Sequence, residues 1–245
     1  MGLWPEAESG KRISYQDAAS QLAHALASEA QLKPHHRLLA IGSGNGEELR
    51  YWQTNFGFSK ATAIEKNPVA SRESQNRFGK NGHIKVLCRS HLELPSGRFD
   101  RVLSLDAAYH FHNKPLFFSN LNNVLSPNGV SVITDIYLPN EKPLSRLACI
   151  ILKVMNIPCK ELRSLEQYRS VLAASNLELT SYKDLTCQVL EGFAKIVASD
   201  TPVAAETFRD NGRLRCKVTG VFINYLRQSS DLRYVMLTIR KLKSF

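Results

Sequence analysis

The sequence predicts an α/β fold in which a mostly parallel β-sheet is covered by helices on both faces. Short, almost continuously apolar runs alternate with segments of helical periodicity from residue 14 to residue 140, and such strands are typical of parallel sheets buried on both faces. The first run ends in Gly42-Ser43-Gly44-Asn45-Gly46, and a helix-competent segment follows at once, as in strand–turn–helix units. A chain of 245 residues, 43% of them hydrophobic, is long enough for one large domain.

The individual elements follow in chain order. Ser14, with Asp17 three residues later, has the pattern of a capping box and predicts a helix to about residue 31. Pro68 suits the first position of another helix, and Ser126-Pro127-Asn128-Gly129 predicts a turn. Strands are predicted at 37–41, 61–65, 84–88, 101–105, 129–137, 177–185 and 233–240, and further helices at 46–56, 115–125, 143–157 and 165–174, with 186–231 largely helical.

Composition narrows the functional classes. No apolar run approaches the length that crosses a bilayer, and residues 1–6 lack the pattern of a signal sequence, which predicts a cytoplasmic location. The five cysteines are scattered without a C-x-x-C pair, which predicts reduced, mostly buried thiols and neither a disulfide framework nor a metal site. The net charge is +10, but Lys and Arg are spread along the chain. This favours a solvated basic surface and leaves a nucleic-acid partner open as the alternative.

The glycine turn predicts a ligand site. Gly42, Gly44 and Gly46 carry no Cβ, so a ligand can approach the backbone there, and the following helix N-terminus offers unpaired N–H groups. Glu65 ends the second strand, nineteen residues after Gly46, where an acid in nucleotide-binding units accepts hydrogen bonds from ribose hydroxyls. The alternative is a tight turn beside an ordinary surface acid.

With the motifs that follow, these residues resemble the class I S-adenosylmethionine-dependent methyltransferases, in the small-molecule branch of ubiquinone/menaquinone, sterol and sugar methyltransferases. A dehydrogenase would instead place its third glycine further on, as G-x-G-x-x-G. The matching pieces are residues 39–46, Glu65, Leu94-Pro95 before residues 99–104, and residues 125–135, which include the segment L-S-P-N-G-V.

The resemblance implies a Rossmann-like sheet of seven strands, with the last strand antiparallel. It implies a single domain over residues 1–245, with a cofactor-binding core at 14–140, a helical lid segment at 141–175 and a substrate-side insert at 186–231 between the last two strands. The implied activity is methyl transfer from S-adenosylmethionine to an oxygen or carbon of a small molecule, with nitrogen less favoured. The implied cofactor-binding residues are Gly42, Ser43, Gly44, Gly46, Glu65, Lys66, Ser90, His91 and Asp106.

The segment after the fourth strand supplies the candidate catalytic residues. Where the acceptor is a hydroxyl, the enzyme must remove a proton, and the resemblance makes His110 the candidate base, oriented by Asp135 at the end of the fifth strand. The alternative for His110 is a hydrogen-bonded structural histidine. The resemblance places Tyr109, His112 and Tyr15 in the acceptor pocket.

Two departures from the family pattern leave other functions open. The family usually has an acid in place of Ala40, which helps to hold the methionine amino group, and Asp near the place of Ser90, which faces adenine. Ser90 can still form a hydrogen bond but Ala40 cannot, so a methyltransferase fold that only binds ligands is one alternative. Residues 106–109 are similar to the D-P-P-Y signature of enzymes that methylate amino groups of nucleic acids or glutamine, but lack its prolines. An RNA methyltransferase is the other alternative.

The apolar segment at residues 143–157 has two interpretations. It is either a buried packing helix or a lid over a lipophilic acceptor that also contacts a membrane surface. Arg146 and Lys153 interrupt its apolar character.

Overall fold

A computed structural model describes residues 1–4, 13–79, 82–140, 143–198 and 211–242. Within these ranges the chain forms one seven-stranded sheet with the strand order β3-β2-β1-β4-β5-β7-β6, which confirms the predicted fold class. The strands are β1 Arg37–Ile41, β2 Lys60–Glu65, β3 Ile84–Cys88, β4 Phe99–Ser104, β5 Leu125–Tyr137, β6 Leu177–Asp184 and β7 Arg233–Lys241. The helices are α1 Tyr15–Glu29, α2 Glu47–Phe56, α3 Pro68–Phe78, α4 Lys114–Val124, α5 Arg146–Val154, α6 Leu165–Ala174, α7 Gly192–Ala198 and α8 Asn211–Ser230.

The strand order places the glycine turn at the centre of the sheet. β1 pairs in parallel with both β2 and β4, β2 with β3, and β4 with β5. β7 lies between β5 and β6 and is antiparallel to both, which confirms the prediction for the last strand. The order reverses between β1 and β4, and ligands of such sheets bind at the carboxyl ends of the strands at this switch point.

Hydrophobic cores lie on both faces of the sheet, which explains the continuous apolar runs. In β1, Leu38 and Ala40 belong to one buried cluster, while Leu39 and Ile41 belong to the other. Side chains alternate between faces along a strand. All four residues are buried, so this strand is apolar on both faces.

The helix starts form as the sequence predicts. Ser14 and Asp17 form a reciprocal capping box at the start of α1. Asn67 caps α3, since its side chain accepts from the N–H of Val69, and Pro68 is the first residue of that helix. The helix expected at 143–157 is shorter in the structure. Ser145 caps its start, and it ends at Val154.

The predicted turn at residues 126–129 lies inside β5. The pairing of β4 with β5 shifts between Phe99, opposite Leu125, and Arg101, opposite Val130. The extra residues therefore form an irregularity within the pair and not a loop before the strand.

The segment after β6 is helical where it is described. A π-helix at Cys187–Glu191 leads into α7, and α8 precedes β7, while the part at 199–210 lies outside the described residues. The five cysteines are free, but none is buried, and Cys88 and Cys187 are exposed. The expectation of mostly buried thiols was therefore wrong, because two of the cysteines are exposed and the other three are only partly buried. No helix in the described ranges is long and apolar enough to span a bilayer.

Candidate active site

The three glycines of the turn have different structural reasons. All three have positive φ angles: +70° at Gly42, +53° at Gly44 and +87° at Gly46. A Cβ at Gly42 would lie 2.4 Å from the Cβ of Ala107, and one at Gly46 would lie 2.7 Å from Phe78 and Ser74 atoms. A Cβ at Gly44 would meet no atom within 4 Å. Gly42 and Gly46 are thus required by packing, whereas Gly44 faces the open space in which a ligand fits.

The carboxylate of Glu65 is held in place by two backbone donors. Its Oε2 accepts from the N–H of Gly44 at 3.0 Å, and its Oε1 accepts from the N–H of Asn67 at 2.7 Å. Each carboxylate oxygen can accept a further hydrogen bond. The end of β2 therefore presents an oriented acceptor for a pair of hydroxyls, as the sequence predicts for a ribose.

A cavity of about 260 Å³ lies over the ends of β1, β2 and β4. Ser43, Gly46 and Ser90 do not line it: Gly46 caps α2, and the Ser90 hydroxyl accepts from the N–H of Leu92. Arg89 and Phe111 are among the lining residues that were not predicted: Arg89 lies outside the matching motifs, and Phe111 lies in the candidate catalytic segment but was given no role. The full lining is Gly42, Gly44, Ile64, Glu65, Lys66, Arg89, His91, Asp106, Ala107, His110 and Phe111.

His91 and Phe111 give the cavity an aromatic wall. Their rings stack at 4.2 Å between centroids with planes 2° apart. His91 Nε2 lies 2.8 Å from the carbonyl oxygen of His112 and must donate to it, because a carbonyl only accepts. Burial lowers the pKa of His91, so the ring is neutral at physiological pH. A flat, uncharged wall of this kind suits a heteroaromatic base.

His110 is oriented by the chain that follows α5. Its Nδ1 lies 2.8 Å from the carbonyl oxygen of Asn156 and donates to it. The neutral ring therefore keeps its lone pair on Nε2. Burial lowers the pKa of His110, and the nearby Lys66 charge lowers it further. His110 is thus a neutral imidazole of fixed tautomer at the edge of the cavity, able to accept a proton.

Asp135 has partners other than His110, so the predicted orienting contact is wrong, and its charge only partly offsets the lowering of the His110 pKa by burial. Its carboxylate is fully buried, lies 2.6 Å from the Lys114 ammonium and accepts from the Tyr168 hydroxyl. Its other oxygen accepts from the N–H of Ile136. A buried carboxylate needs a cation and donors, and Lys114 and Tyr168 supply them from the start of α4 and from α6. Asp135 therefore ties two helices to the sheet.

Asp106 lies between the cavity and a cluster of tyrosines, Tyr15, Tyr109 and Tyr234. Its Oδ1 accepts from the Tyr234 hydroxyl at 2.5 Å, and its Oδ2 lies 2.8 Å from the α-ammonium of Met1. That ammonium also donates to the Tyr15 hydroxyl at 3.3 Å. Burial opposes the charge, but the Asp106 carboxylate and Tyr15 together outweigh it and raise the pKa of the ammonium to about 11. Tyr109 is buried beside Asp106, and burial raises the pKa of its phenol.

The predicted acceptor residues therefore divide between two places. Tyr15 and Tyr109 belong to the tyrosine cluster next to Asp106. His112 is exposed and lines a separate surface groove of about 490 Å³ together with Lys153 and Asn156.

The cavity fits S-adenosylmethionine on three counts. Gly44 leaves room for a ligand close to the backbone, Glu65 presents an acceptor for a diol, and the stacked pair of His91 and Phe111 offers a wall for an aromatic base. When bound, this cofactor would lie over the glycine turn with its ribose at Glu65.

Comparison with known proteins agrees with this geometry. Residues 39–133 match the family described as methyltransferase domain. The chain is 29% identical over 141 residues to the erythromycin 3''-O-methyltransferase of Saccharopolyspora erythraea, covering 56% of this chain and 45% of that protein. It is 25% identical over 173 residues to the probable phthiotriol/phenolphthiotriol dimycocerosates methyltransferase 2 of Mycobacterium ulcerans, covering 70% and 57%. The chain thus spans about half the length of these two relatives.

The fold is also that of solved structures. A protein of Galdieria sulphuraria assigned as a sarcosine dimethylglycine methyltransferase superposes with a TM-score of 0.81 at 23% identity, covering 98% of this chain and 92% of that one. At this identity the likeness concerns the fold alone. Residues 39–133 therefore carry a methyltransferase domain, and the seven-stranded fold around it is that of the solved methyltransferase structure.

Proposed function

We propose that this protein transfers the methyl group of S-adenosylmethionine to an oxygen or carbon atom of a small lipophilic molecule, with His110 as the general base. The observation that carries the proposal is the orientation of His110. The Asn156 carbonyl fixes the proton on Nδ1, which leaves Nε2 as the acceptor in a residue that lines the cofactor cavity.

The residues of the chain would divide the work as follows. The cofactor supplies an electrophilic methyl group on a sulfonium. The Glu65 carboxylate and the backbone at Gly44 hold the adenosyl part, with Lys66 and His91 on the cavity wall. As the acceptor hydroxyl attacks, His110 Nε2 takes its proton. A positioned base contributes about 10²–10⁴ in rate, and alignment of the reacting atoms contributes further.

One relative supports a hydroxyl acceptor, since it is named for 3''-O-methylation of erythromycin, and methylation of a hydroxyl requires a base to remove its proton. The proposed acceptor-binding residues are Tyr15, Tyr109 and Asp106, because they lie in one cluster. The functional boundaries, a core at 14–140, a lid segment at 141–175 and an insert at 186–231, belong to the same proposal.

The test combines cofactor binding with turnover. Calorimetric titration with S-adenosylmethionine is expected to show binding, and its absence at millimolar cofactor would leave only the non-catalytic alternative. A metabolite extract screened for new methylated masses then identifies the acceptor. His110→Gln is expected to lower kcat about 10²–10⁴-fold with cofactor affinity retained. His83→Gln, at an exposed position before β3, is the matched control. Equal kcat values in the two variants would reject His110 as the base.

Binding to RNA separates the remaining alternative. A nucleic-acid methyltransferase binds total RNA with an affinity that falls steeply with salt. The proposal predicts no such binding beyond the weak attraction of a basic surface. Tight, salt-dependent binding together with methylated RNA would replace the small-molecule proposal.

We further propose that α5 and α8 form a face that rests on an anionic membrane. Each helix exposes three aliphatic side chains at helical spacing, all between 41% and 68% exposed, and the two helices pack together. Neither helix contains Asp or Glu, whereas α5 exposes Arg146 and Lys153. An apolar face with basic residues and no acids suits the surface of an anionic bilayer. The aliphatic residues are Leu147, Ile150, Val154, Leu214, Val218 and Val221.

Vesicle sedimentation tests this face. Binding is expected to vesicles containing phosphatidylglycerol and to be much weaker with phosphatidylcholine alone. Ile150→Glu with Val221→Glu is expected to abolish it. Val69→Glu, at a valine equally exposed on α3, adds the same kind of charge elsewhere and is the control. Unchanged vesicle binding in the double variant, or association of the free protein into dimers through this face, would contradict the proposal.

A further inference from the structure

Ala40 is one of the two positions at which the chain departs from the pattern of the family that it resembles, and the structure places a carboxyl group beside it. Glu48, in the first turn of α2, and Ala40, in β1, line the same small cavity of about 10 Å³. Gly42 lines both this cavity and the large one. Glu48 therefore reaches, from the neighbouring helix, the region that an acid at position 40 would reach from the strand.

The carboxylate of Glu48 has no partner in another residue within the described ranges. Its neighbour Glu47, in contrast, is exposed and pairs with Arg50 and Arg77. Burial raises the pKa of Glu48, and the nearby Asp106 charge raises it further. Glu48 is partly buried, and a carboxylate that is partly withdrawn from water without a cation is costly to keep ionised. This cost is recovered where a ligand brings the missing cation.

Within the part of the chain that the structure describes, Glu48 has no cation of its own among the charged groups that act on it. Glu48 and Asp106 are two carboxylates that interact with each other and with one ammonium, that of Met1. Asp106 pairs with this ammonium directly at 2.8 Å. Glu48 is thus the acid left uncompensated, and a primary ammonium is stable in this part of the molecule.

We propose that Glu48 supplies the carboxylate that Ala40 lacks and binds the ammonium of the cofactor's methionyl group. The inference rests on the proposed function only in that S-adenosylmethionine binds in the cavity over Gly44. A primary ammonium has three donors and matches an acceptor-only carboxylate. Binding of the cation also favours the ionised form of Glu48, so cofactor binding at acidic pH is accompanied by release of a proton.

The test compares two ligands that differ in the methionyl group. S-Adenosylmethionine carries the methionyl ammonium, whereas 5'-methylthioadenosine keeps the adenosine and the sulfur but lacks the methionyl ammonium and carboxylate and the sulfonium charge. Glu48→Gln is expected to weaken S-adenosylmethionine binding about tenfold or more, the scale of a charged hydrogen bond. It is expected to leave the affinity for 5'-methylthioadenosine unchanged. Glu47→Gln removes the same charge from the same helical turn and is expected to leave both affinities unchanged.

Titration calorimetry gives both dissociation constants and needs no acceptor substrate. Retained binding of 5'-methylthioadenosine also shows that the Glu48→Gln protein is folded. Equal losses for the two ligands would mean that Glu48 only supports the fold and would overturn the proposal, as would an unchanged affinity for S-adenosylmethionine. If the wild-type protein binds 5'-methylthioadenosine but not S-adenosylmethionine, the methionyl site is absent and Glu48 has no such role. If it binds neither, the proposed function itself fails.

Discussion

Replacing Lys114 with methionine is expected to destabilise the fold by about 3–5 kcal/mol. The ammonium of Lys114 lies 2.6 Å from Asp135, and the two side chains are 1% and 0% exposed. Methionine keeps the unbranched apolar stem and removes only the charged end. The Asp135 carboxylate would then stay buried with Tyr168 and the N–H of Ile136 as donors but without a cation. Breaking a buried pair in this way costs far more than losing an exposed one.

Tyr168→Phe provides a graded comparison at the same carboxylate. It removes one hydrogen bond to a charged group, and the expected loss is about 1.5–3 kcal/mol. The double variant Lys114→Met/Asp135→Leu removes both charges and is expected to recover part of the Lys114→Met loss, because the uncompensated charge is gone.

Urea unfolding measures these differences. The free energy of unfolding is obtained from the midpoint and the slope of each transition, and an unchanged slope allows the variants to be compared directly. A loss below about 1 kcal/mol for Lys114→Met, the value of an exposed pair, would refute the reasoning. It would also reopen a role for Asp135 outside the packing of α4 and α6.

The remaining predictions concern the glycine turn and the base. Gly44→Ala is expected to stay folded but to lose cofactor affinity in calorimetry, because its Cβ would enter the space open to the ligand. Gly42→Ala is expected to lower the melting temperature, because its Cβ would lie 2.4 Å from Ala107. The opposite pattern would contradict these roles of the two glycines. Because burial lowers the pKa of His110, the neutral base is present at neutral pH. In a pH profile, kcat should be at its plateau at neutral pH and fall only below the ordinary histidine pKa of about 6.5; a fall beginning above neutrality would count against it. Asn156→Val is expected to lower kcat more than it raises the KM for cofactor. Valine tolerates a positive φ poorly, so the backbone carbonyl that holds His110 would move. A proportionate change in kcat and KM would indicate general disruption of the fold.

The sequence is most informative where a feature is local. Capping at Ser14, the apolar run of β1 and the glycine turn each depend on neighbouring residues, and the structure contains all three. Glu65 follows from its fixed spacing to the turn, and the structure holds its carboxylate at the N–H of Gly44.

Pairings between distant residues could not be read in the same way. Asp135 and His110 end neighbouring segments, so pairing them was a reasonable prediction. The ionic partner of Asp135, Lys114, lies 21 residues away in sequence, and Tyr168 lies 33 residues away. Nothing in a single sequence distinguishes Lys114 from a surface lysine before a helix is placed on the sheet. The proximity of Glu48 to Ala40 was not predicted for the same reason, since it depends on how α2 packs against β1.

The contact that orients His110 has a consequence for which substitutions position 156 tolerates. A backbone carbonyl is supplied by whichever residue stands at position 156, so selection acts there on backbone conformation and not on side-chain chemistry. Asn156 has a φ of +58°, a conformation that glycine, asparagine and aspartate adopt most readily. Substitutions among these three would preserve the orientation of His110. A comparison based on residue identity would therefore score position 156 as variable, although the orientation of the proposed base depends on it.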